Sequence, residues 1–176
     1  MKINKRQVFR ITILSILLLA TTYTVYKSTI KKEDAPSFSS NSEAPDFALK
    51  TLDNKEIQLS NLKGKGVIIN FWGSWCKPCE KEMPALENTY KWYKDKNVEV
   101  IGVNLEESNL AVKSYVDRKS LSFPILLDKD GQVRDIYKVS TIPSSFFINK
   151  DGKIVKEYVG QMNEETLNRW AKEISK

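Results

Sequence analysis

Residues 66–72 read GVIINFW, a short run in which Asn70 is the only polar side chain. A run of this length and apolarity is typical of a β-strand that is covered on both faces. A second run, VEVIGVN, occupies residues 98–104, and between the two runs Met83 and Leu86 belong to an apolar pattern at helical spacing. We therefore expect a strand–helix–strand unit whose sheet has layers on both sides.

The rest of the chain extends this unit in both directions. Residues 47–60 alternate around Asp53 and Asn54, which predicts an N-terminal hairpin with a two-residue turn. Further patterns predict a helix at 108–120, a strand at 123–128, a short helix at 132–138, a hairpin at 144–160 and a terminal helix capped by Asn163. The order ββ-β-α-β-α-β-α-β-β-α predicts an α/β sandwich with a mixed central sheet.

The N-terminal part of the chain differs from this pattern. Residues 1–10 are basic, residues 11–26 carry no charge, and residues 27–44 are polar and rich in serine. We expect a cytoplasmic flank, a transmembrane signal anchor and a flexible tether, followed by one folded domain at 45–176. The basic flank places the folded domain on the extracytoplasmic side of the cell membrane, in a single-pass protein.

A cleaved signal peptide is the alternative to a retained anchor. The small-x-small pattern of a cleavage site is poor here, because Ala20 is followed by Thr-Thr-Tyr. A buried helix of a soluble domain fits less well, because the run is apolar on every face. We therefore favour retention.

The charge of the chain argues against nucleic acid as a partner. The formal net charge is +6, but residues 1–44 contain seven basic and three acidic residues and so account for most of it. The folded domain is left with little excess charge to attract a polyanion. The chain contains no histidine, which excludes every mechanism that needs an imidazole base.

The chain contains two cysteines, Cys76 and Cys79, between the predicted buried strand and the helix that follows. A structural disulfide would close a very short loop and stabilise little, and a zinc site needs about four ligands. A redox pair explains the spacing better, because the unpaired N–H groups at a helix start favour a thiolate. Lys77 adds positive charge and Pro78 stiffens the turn, so we expect Cys76 to attack and Cys79 to resolve. The pair itself carries the electrons, so we expect no cofactor and no metal.

In three stretches the sequence resembles a known family. They are APDFALKTLDNKEIQLSNLKGK, NFWGSWCKPCEKEMP and STIPSSFFINKDGKIV. The chain is similar to membrane-anchored thiol–disulfide oxidoreductases of the ResA/TlpA-like branch over about residues 44–176. The resemblance implies a thioredoxin-like sandwich with a central insertion after the second buried strand. It also implies a reductant of protein disulfides, with oxidised apocytochrome c as client and a transmembrane electron-donor protein as partner.

The resemblance also assigns roles around the cysteines. Glu82 lies three residues after Cys79 on the predicted helix, and the branch has a functional glutamate there; burial would raise its pKa and suit it to proton exchange. Asn70 stands where cytoplasmic thioredoxins carry an aspartate, and a hydrogen-bonded buried amide is the simpler interpretation. Pro143 is expected to form a cis bond, which leaves the backbone of Ile142 to pair with an extended substrate.

Three further residues of this region are Trp75, Glu106 and Glu107. Trp75 is expected to shape the rim of the site, with ordinary packing as the alternative, whereas Glu106 and Glu107 are interpreted as solvated.

The branch also includes a member that acts in spore cortex assembly, and the residues do not separate it from the apocytochrome reductants. A disulfide-installing oxidant, a thiol peroxidase and a binding module with an inert disulfide are the further alternatives.

Overall fold

The computed structural model describes residues 4–29, 38–39 and 41–176. Its first unit is the helix α1, Lys5–Thr29, which contains the whole uncharged run 11–26. Among the described residues, no helix combines the length and the apolarity needed to cross a membrane. The predicted helix is therefore present, but the prediction that it spans a bilayer is not supported. The uncharged run has about 16 residues between Arg10 and Lys27, whereas a span needs about 20.

The second unit is the folded domain, and its elements follow the predicted order except for one additional strand, β1, at the start. The strands are β1 Ser42–Glu43, β2 Ala48–Lys50, β3 Glu56–Gln58, β4 Gly66–Trp72, β5 Val98–Leu105, β6 Ile125–Asp128, β7 Ser144–Ile148 and β8 Lys153–Val159. The helices are α2 Lys77–Tyr93, α3 Asn109–Lys119, α4 Gln132–Ile136 and α5 Glu164–Ile174. Short 3-10 turns occupy Leu59–Leu62 and Lys94–Lys96.

A six-stranded mixed sheet organises the domain, in the order β1-β8-β7-β4-β5-β6. Strands β4, β5 and β6 are parallel to one another. On the other side of β4, β7 is antiparallel to β4, β8 to β7 and β1 to β8. The thioredoxin-like fold with a mixed sheet is confirmed. The segment predicted as a central insertion contains α3 and β6, and β6 forms one edge of the sheet. The end of β4, which leads to the cysteines, therefore lies in the middle of the sheet.

All seven residues of β4 are buried, because the strand has a packed layer on each face. Ile68 and Trp72 share one core cluster with residues of α2, α3 and α5. Val67, Ile69 and Phe71 belong to the other cluster, with residues of α4 and of the segment before β2. This alternation is the period-2 geometry of a strand, and it explains why the run in the sequence is continuously apolar.

The N-terminal hairpin is present, but its turn is longer than predicted. Strands β2 and β3 pair antiparallel in a two-stranded sheet of their own. The Thr51 N–H donates to the Lys55 carbonyl over 2.8 Å, so pairing continues beyond both strands. The turn therefore consists of three residues, 52–54, rather than two. Asn54 takes the left-handed conformation with φ 62°, which asparagine tolerates well.

The ordered domain begins before Pro45, the predicted start. Ser42 and Glu43 of β1 pair with β8, although they fall in the predicted tether 27–44. The Phe38 ring also packs on the domain, with its centroid 5.9 Å from those of Tyr137 and Phe146. Of the tether, residues 27–29 end α1, and residues 30–37 and 40 lie outside the described residues.

Candidate active site

Cys76 and Cys79 form a disulfide at the start of α2, with their Cα atoms 5.2 Å apart. Cys76 is the N-cap of the helix, and its Sγ accepts a hydrogen bond from the Cys79 N–H over 3.2 Å. Pro78 lies in the first helical turn, where its missing N–H removes no intrahelical bond. The local sequence thus brings one sulfur to the cluster of unpaired N–H groups at the helix end.

The two sulfurs differ in accessibility. Cys76 is 5% exposed, whereas Cys79 is completely buried. Of the two cysteines, only Cys76 therefore presents any surface to an incoming sulfur. This asymmetry fits the predicted division between an attacking and a resolving cysteine.

Glu82 lies on α2 one turn after Cys79, and its side chain is fully buried. Its two carboxyl oxygens accept hydrogen bonds from Asn70 Nδ2, over 2.7 Å, and from the Met162 N–H, over 3.0 Å. Burial raises the pKa of Glu82 to about 7, although both hydrogen bonds favour the charged form. The carboxyl group can therefore gain or lose a proton close to neutral pH.

Asn70 connects this carboxyl group to the central sheet. It lies on β4 opposite Ser145 of β7, and its Nδ2 donates to the Ser145 hydroxyl over 2.9 Å as well as to Glu82. Its Oδ1 is buried and accepts no hydrogen bond from any described residue. Asn70 is thus the buried amide that the sequence suggested, and it also holds Glu82 in place.

The loop between β4 and α2 is held by Glu107. The backbone N–H and the hydroxyl of Ser74 both donate to the Glu107 carboxylate, and Asn104 Nδ2 donates to it over 2.7 Å. Trp75 is 66% exposed and its indole packs over Gly73, where a Cβ atom would lie 2.8 Å from the ring. Trp75 therefore stands at the rim, in contact with the loop that carries Cys76.

The Ile142–Pro143 peptide bond is cis. Pro143 is buried and its carbonyl accepts the Gly160 N–H over 2.8 Å. Ile142 is half-buried, and no described residue forms a backbone hydrogen bond with its N–H or carbonyl. Together with Trp75, the residue that precedes Cys76, Ile142 lines a groove of about 290 Å³.

Three contacts of the site were not found from the sequence: those of Glu107, Ser145 and the Met162 backbone. Glu107 was interpreted as solvated, but it is the second residue after β5, and β5 pairs with β4 in parallel. Because neighbouring parallel strands end at the same edge of a sheet, this position could have been connected with the GSWC loop. No such local signal exists for Met162, which reaches Glu82 across 80 residues of sequence.

The arrangement contains what thiol–disulfide exchange requires. It has one accessible sulfur at a helix start, a buried partner sulfur one turn away and a carboxyl group that titrates near pH 7. Among the described residues, no group of three His, Cys, Asp or Glu side chains is arranged to hold a metal ion.

Comparison with known proteins supports this chemistry. The sequence matches the AhpC/TSA family over residues 41–157. It is 44% identical to the thiol-disulfide oxidoreductase ResA of Bacillus subtilis, over 96% of this chain and 93% of that protein. It is 43% identical to ResA of Bacillus thuringiensis subsp. konkukian, over 98% of both chains.

Solved structures agree with these relatives. The structure of StoA from Bacillus subtilis is 36% identical with a TM-score of 0.65, over 72% of this chain and 96% of StoA. A thiol:disulfide interchange protein described as DsbE, from Chlorobium tepidum, is 30% identical with a TM-score of 0.75, over 80% of this chain and all of that one.

Proposed function

Because the chain belongs to the AhpC/TSA family, as a thiol–disulfide oxidoreductase of the ResA-like group, we propose that it reduces disulfides of client proteins outside the cytoplasm. The observation that carries the proposal is the asymmetric disulfide beside a buried carboxyl group. Cys76 is the sulfur that a client can reach, and Glu82 lies one turn from its buried partner Cys79.

The reaction begins with both cysteines reduced. The Cys76 thiolate attacks one sulfur of the client disulfide, the client S–S bond breaks, and the other client sulfur leaves as a thiolate that takes up a proton. Cys79 then gives up its proton and attacks Cys76 Sγ, which releases the second client sulfur. Two electrons have passed to the client, and the Cys76–Cys79 disulfide has formed.

Glu82 is proposed to accept the proton of Cys79 in the second step. A carboxyl group with a pKa of about 7 has a substantial carboxylate fraction at neutral pH and binds the proton readily. The hydrogen bonds from Asn70 and Met162 keep it in position on the inner face of α2.

The client is proposed to bind across the groove between Trp75 and Ile142. The open backbone groups of Ile142 can pair with an extended client segment. This mode recognises backbone first, so that the side chains of the groove decide which client sequences are preferred.

The ResA resemblance favours oxidised apocytochrome c as the client, in cytochrome c maturation. A reductant outside the cytoplasm must itself be reduced again, so we propose a transmembrane electron-donor protein as the second partner. The similarity to StoA supports a second candidate, namely the same chemistry in spore cortex assembly. Deletion of the gene distinguishes the two: loss of c-type cytochromes supports the first, and loss of heat-resistant spores supports the second.

The location is proposed from the basic flank and the uncharged run of α1. This segment would direct the domain across the membrane and hold it there. Protease added to intact protoplasts should digest the domain, and carbonate extraction should leave the full-length chain in the membrane fraction. Protection of the domain from protease would contradict an extracytoplasmic location, and release by carbonate would contradict a membrane anchor.

A trapping experiment tests the chemistry. In the Cys79→Ser variant the mixed disulfide on Cys76 cannot be resolved, so client proteins should remain covalently attached until a dithiol reagent releases them. The matched control is Cys76→Ser, which should capture nothing. Equal capture by both variants would contradict attack by Cys76. A reduction potential well above about −200 mV would indicate an oxidant instead of a reductant.

A further inference from the structure

The groove beside Cys76 has a charged side as well as an apolar one. Trp75, Leu105, Val139 and Ile142 supply its apolar surface, and Glu106 and Arg134 supply its charges. Trp75, the residue before Cys76 in the sequence, is part of the lining, so a client bound along this groove would have side chains near these two charges.

Glu106 is fixed in this position by its backbone and by the space around it. It takes the left-handed conformation, with φ 56°, and its N–H donates to the Asp128 carbonyl over 3.0 Å. Its carboxylate lies over Gly131, where a Cβ atom would be 2.6 Å from Glu106 Oε1. A left-handed glutamate is uncommon, and the missing side chain of Gly131 gives its carboxylate room.

The charges on this side of the groove do not balance. Arg134 Nη1 lies 2.9 Å from Glu106 Oε1, and Arg134 Nε and Nη2 both donate to Asp135 Oδ1. One guanidinium therefore has two carboxylate partners. Glu106 Oε2 accepts no hydrogen bond from any described residue, so this side of the carboxylate can pair with a further cation while Oε1 keeps Arg134.

Neighbouring charges do not neutralise this excess of negative charge. Glu107, the next residue, is already occupied by Ser74 and Asn104. Of the nearby lysines, Lys77 follows Cys76 into α2, and Lys138 Nζ lies over the Phe38 ring, 5.4 Å from its centroid. Neither lysine lines the groove.

We propose that Glu106 is a specificity-determining residue that favours clients with a lysine or arginine close to the attacked cysteine. This inference rests on the proposed function and adds the client's local charge to it. The client cation pairs with the free side of the Glu106 carboxylate while its backbone pairs with Ile142. Such an exposed pair changes binding only modestly, so the expected preference is about two- to fivefold.

Three synthetic peptides with the same disulfide test this proposal. They differ only in the residue next to one cysteine, which is Lys, Gln or Glu, and each oxidises the reduced full-length protein in a stopped-flow experiment. The wild type should react fastest with the Lys peptide and slowest with the Glu peptide. This order should fade in high salt, because salt screens exposed charges.

The Glu106→Gln variant should react with all three peptides at nearly equal rates, at the rate that the wild type shows with the Gln peptide. The matched control is Asp117→Asn, which removes an exposed carboxylate paired with Lys113 on α3, away from the groove. It should keep the wild-type order.

The possible failures are distinguishable. Equal rates of the wild type with all three peptides would overturn the role of Glu106 and leave the proposed reductase activity intact. A Lys preference that survives in Glu106→Gln would also overturn the role of Glu106. So would a Glu106→Gln variant that is slowed equally with every peptide. No reaction with any peptide would overturn the proposed function, and this inference with it.

Discussion

At the scale of single residues, the protonation of Glu82 is set by the surroundings of its carboxyl group. An exposed glutamate is ionised throughout the neutral range, but burial raises the pKa of Glu82 from 4.5 to about 7. The hydrogen bonds from Asn70 and Met162 limit the shift without abolishing it. The same carboxyl group should therefore affect both the rate of exchange and the stability of the fold.

The Glu82→Gln substitution removes the proposed proton acceptor. In the wild type, the rate of disulfide reduction should rise as the pH increases through about 7, because the carboxylate must be free to take the Cys79 proton. In the variant this inflection should vanish, and the rate at pH 7 should fall by about 100-fold. Stopped-flow measurements between about pH 5 and 9 test this. Glu80→Gln, a half-buried position on the same helix whose carboxylate pairs with Lys119, should keep the inflection, and an inflection that persists in Glu82→Gln would refute the role.

The same group should make the oxidised protein less stable as the pH rises. The folded state holds the Glu82 proton up to about pH 7, whereas the unfolded chain releases it at about 4.5. The stabilising contribution is therefore complete below the lower pKa and lost as the pH rises through the upper one, by about 3 kcal/mol. Urea unfolding of wild type and Glu82→Gln across this range should show the difference, whereas the exposed Glu173→Gln should follow the wild type.

At the scale of elements, the loop from β4 to α2 is held by Glu107, a residue of the neighbouring connection between β5 and α3. Glu107 accepts both hydrogen-bond donors of Ser74, next to Trp75 and Cys76. Glu107→Ala should destabilise the oxidised domain by about 2–3 kcal/mol, because hydrogen bonds to a charged group are lost. The Ser74 amide should also exchange its hydrogen much faster. Glu173→Ala is the control, and an unchanged Ser74 exchange rate would show that Glu107 does not hold the loop.

The strands and helices were predictable because their patterns are local. Strand β4 is apolar throughout because the sheet is covered on both faces, and α5 has its cap, Asn163, and its apolar face in one short segment. Strand β1 was not predictable in this way. Ser42 and Glu43 are polar, and they form a strand only because β8 offers an edge to which they can pair.

The site was predictable to a similar extent. The position of Cys76 at a helix start follows from the sequence around it, and that of Glu82 follows from helical spacing. The partners of Glu82 do not, because Asn70 reaches it from the sheet and Met162 from the segment before α5. Such contacts between residues far apart in the sequence form only when the chain is folded, and no periodicity of the sequence predicts them.

At the scale of the whole molecule, the segment before β2 belongs to the fold. It contributes the Phe38 ring and β1, and the Tyr137 hydroxyl donates to the Pro45 carbonyl over 2.9 Å. A chain that starts at residue 46 should therefore be less stable than one that starts at residue 36, by about 2–4 kcal/mol. Urea midpoints measure the difference, with Phe38→Ala in the longer chain as an intermediate case. Equal midpoints would show that the segment adds nothing.

The complete burial of Cys79 has a consequence for turnover. The proposed electron donor, which would reduce the disulfide, and the proposed client, which would oxidise it, must both approach the sulfur of Cys76, since Cys79 has no exposed surface. The two half-reactions use the same sulfur and therefore cannot occur at the same time. Turnover should therefore follow ping-pong kinetics, with donor and client excluding one another at high concentration.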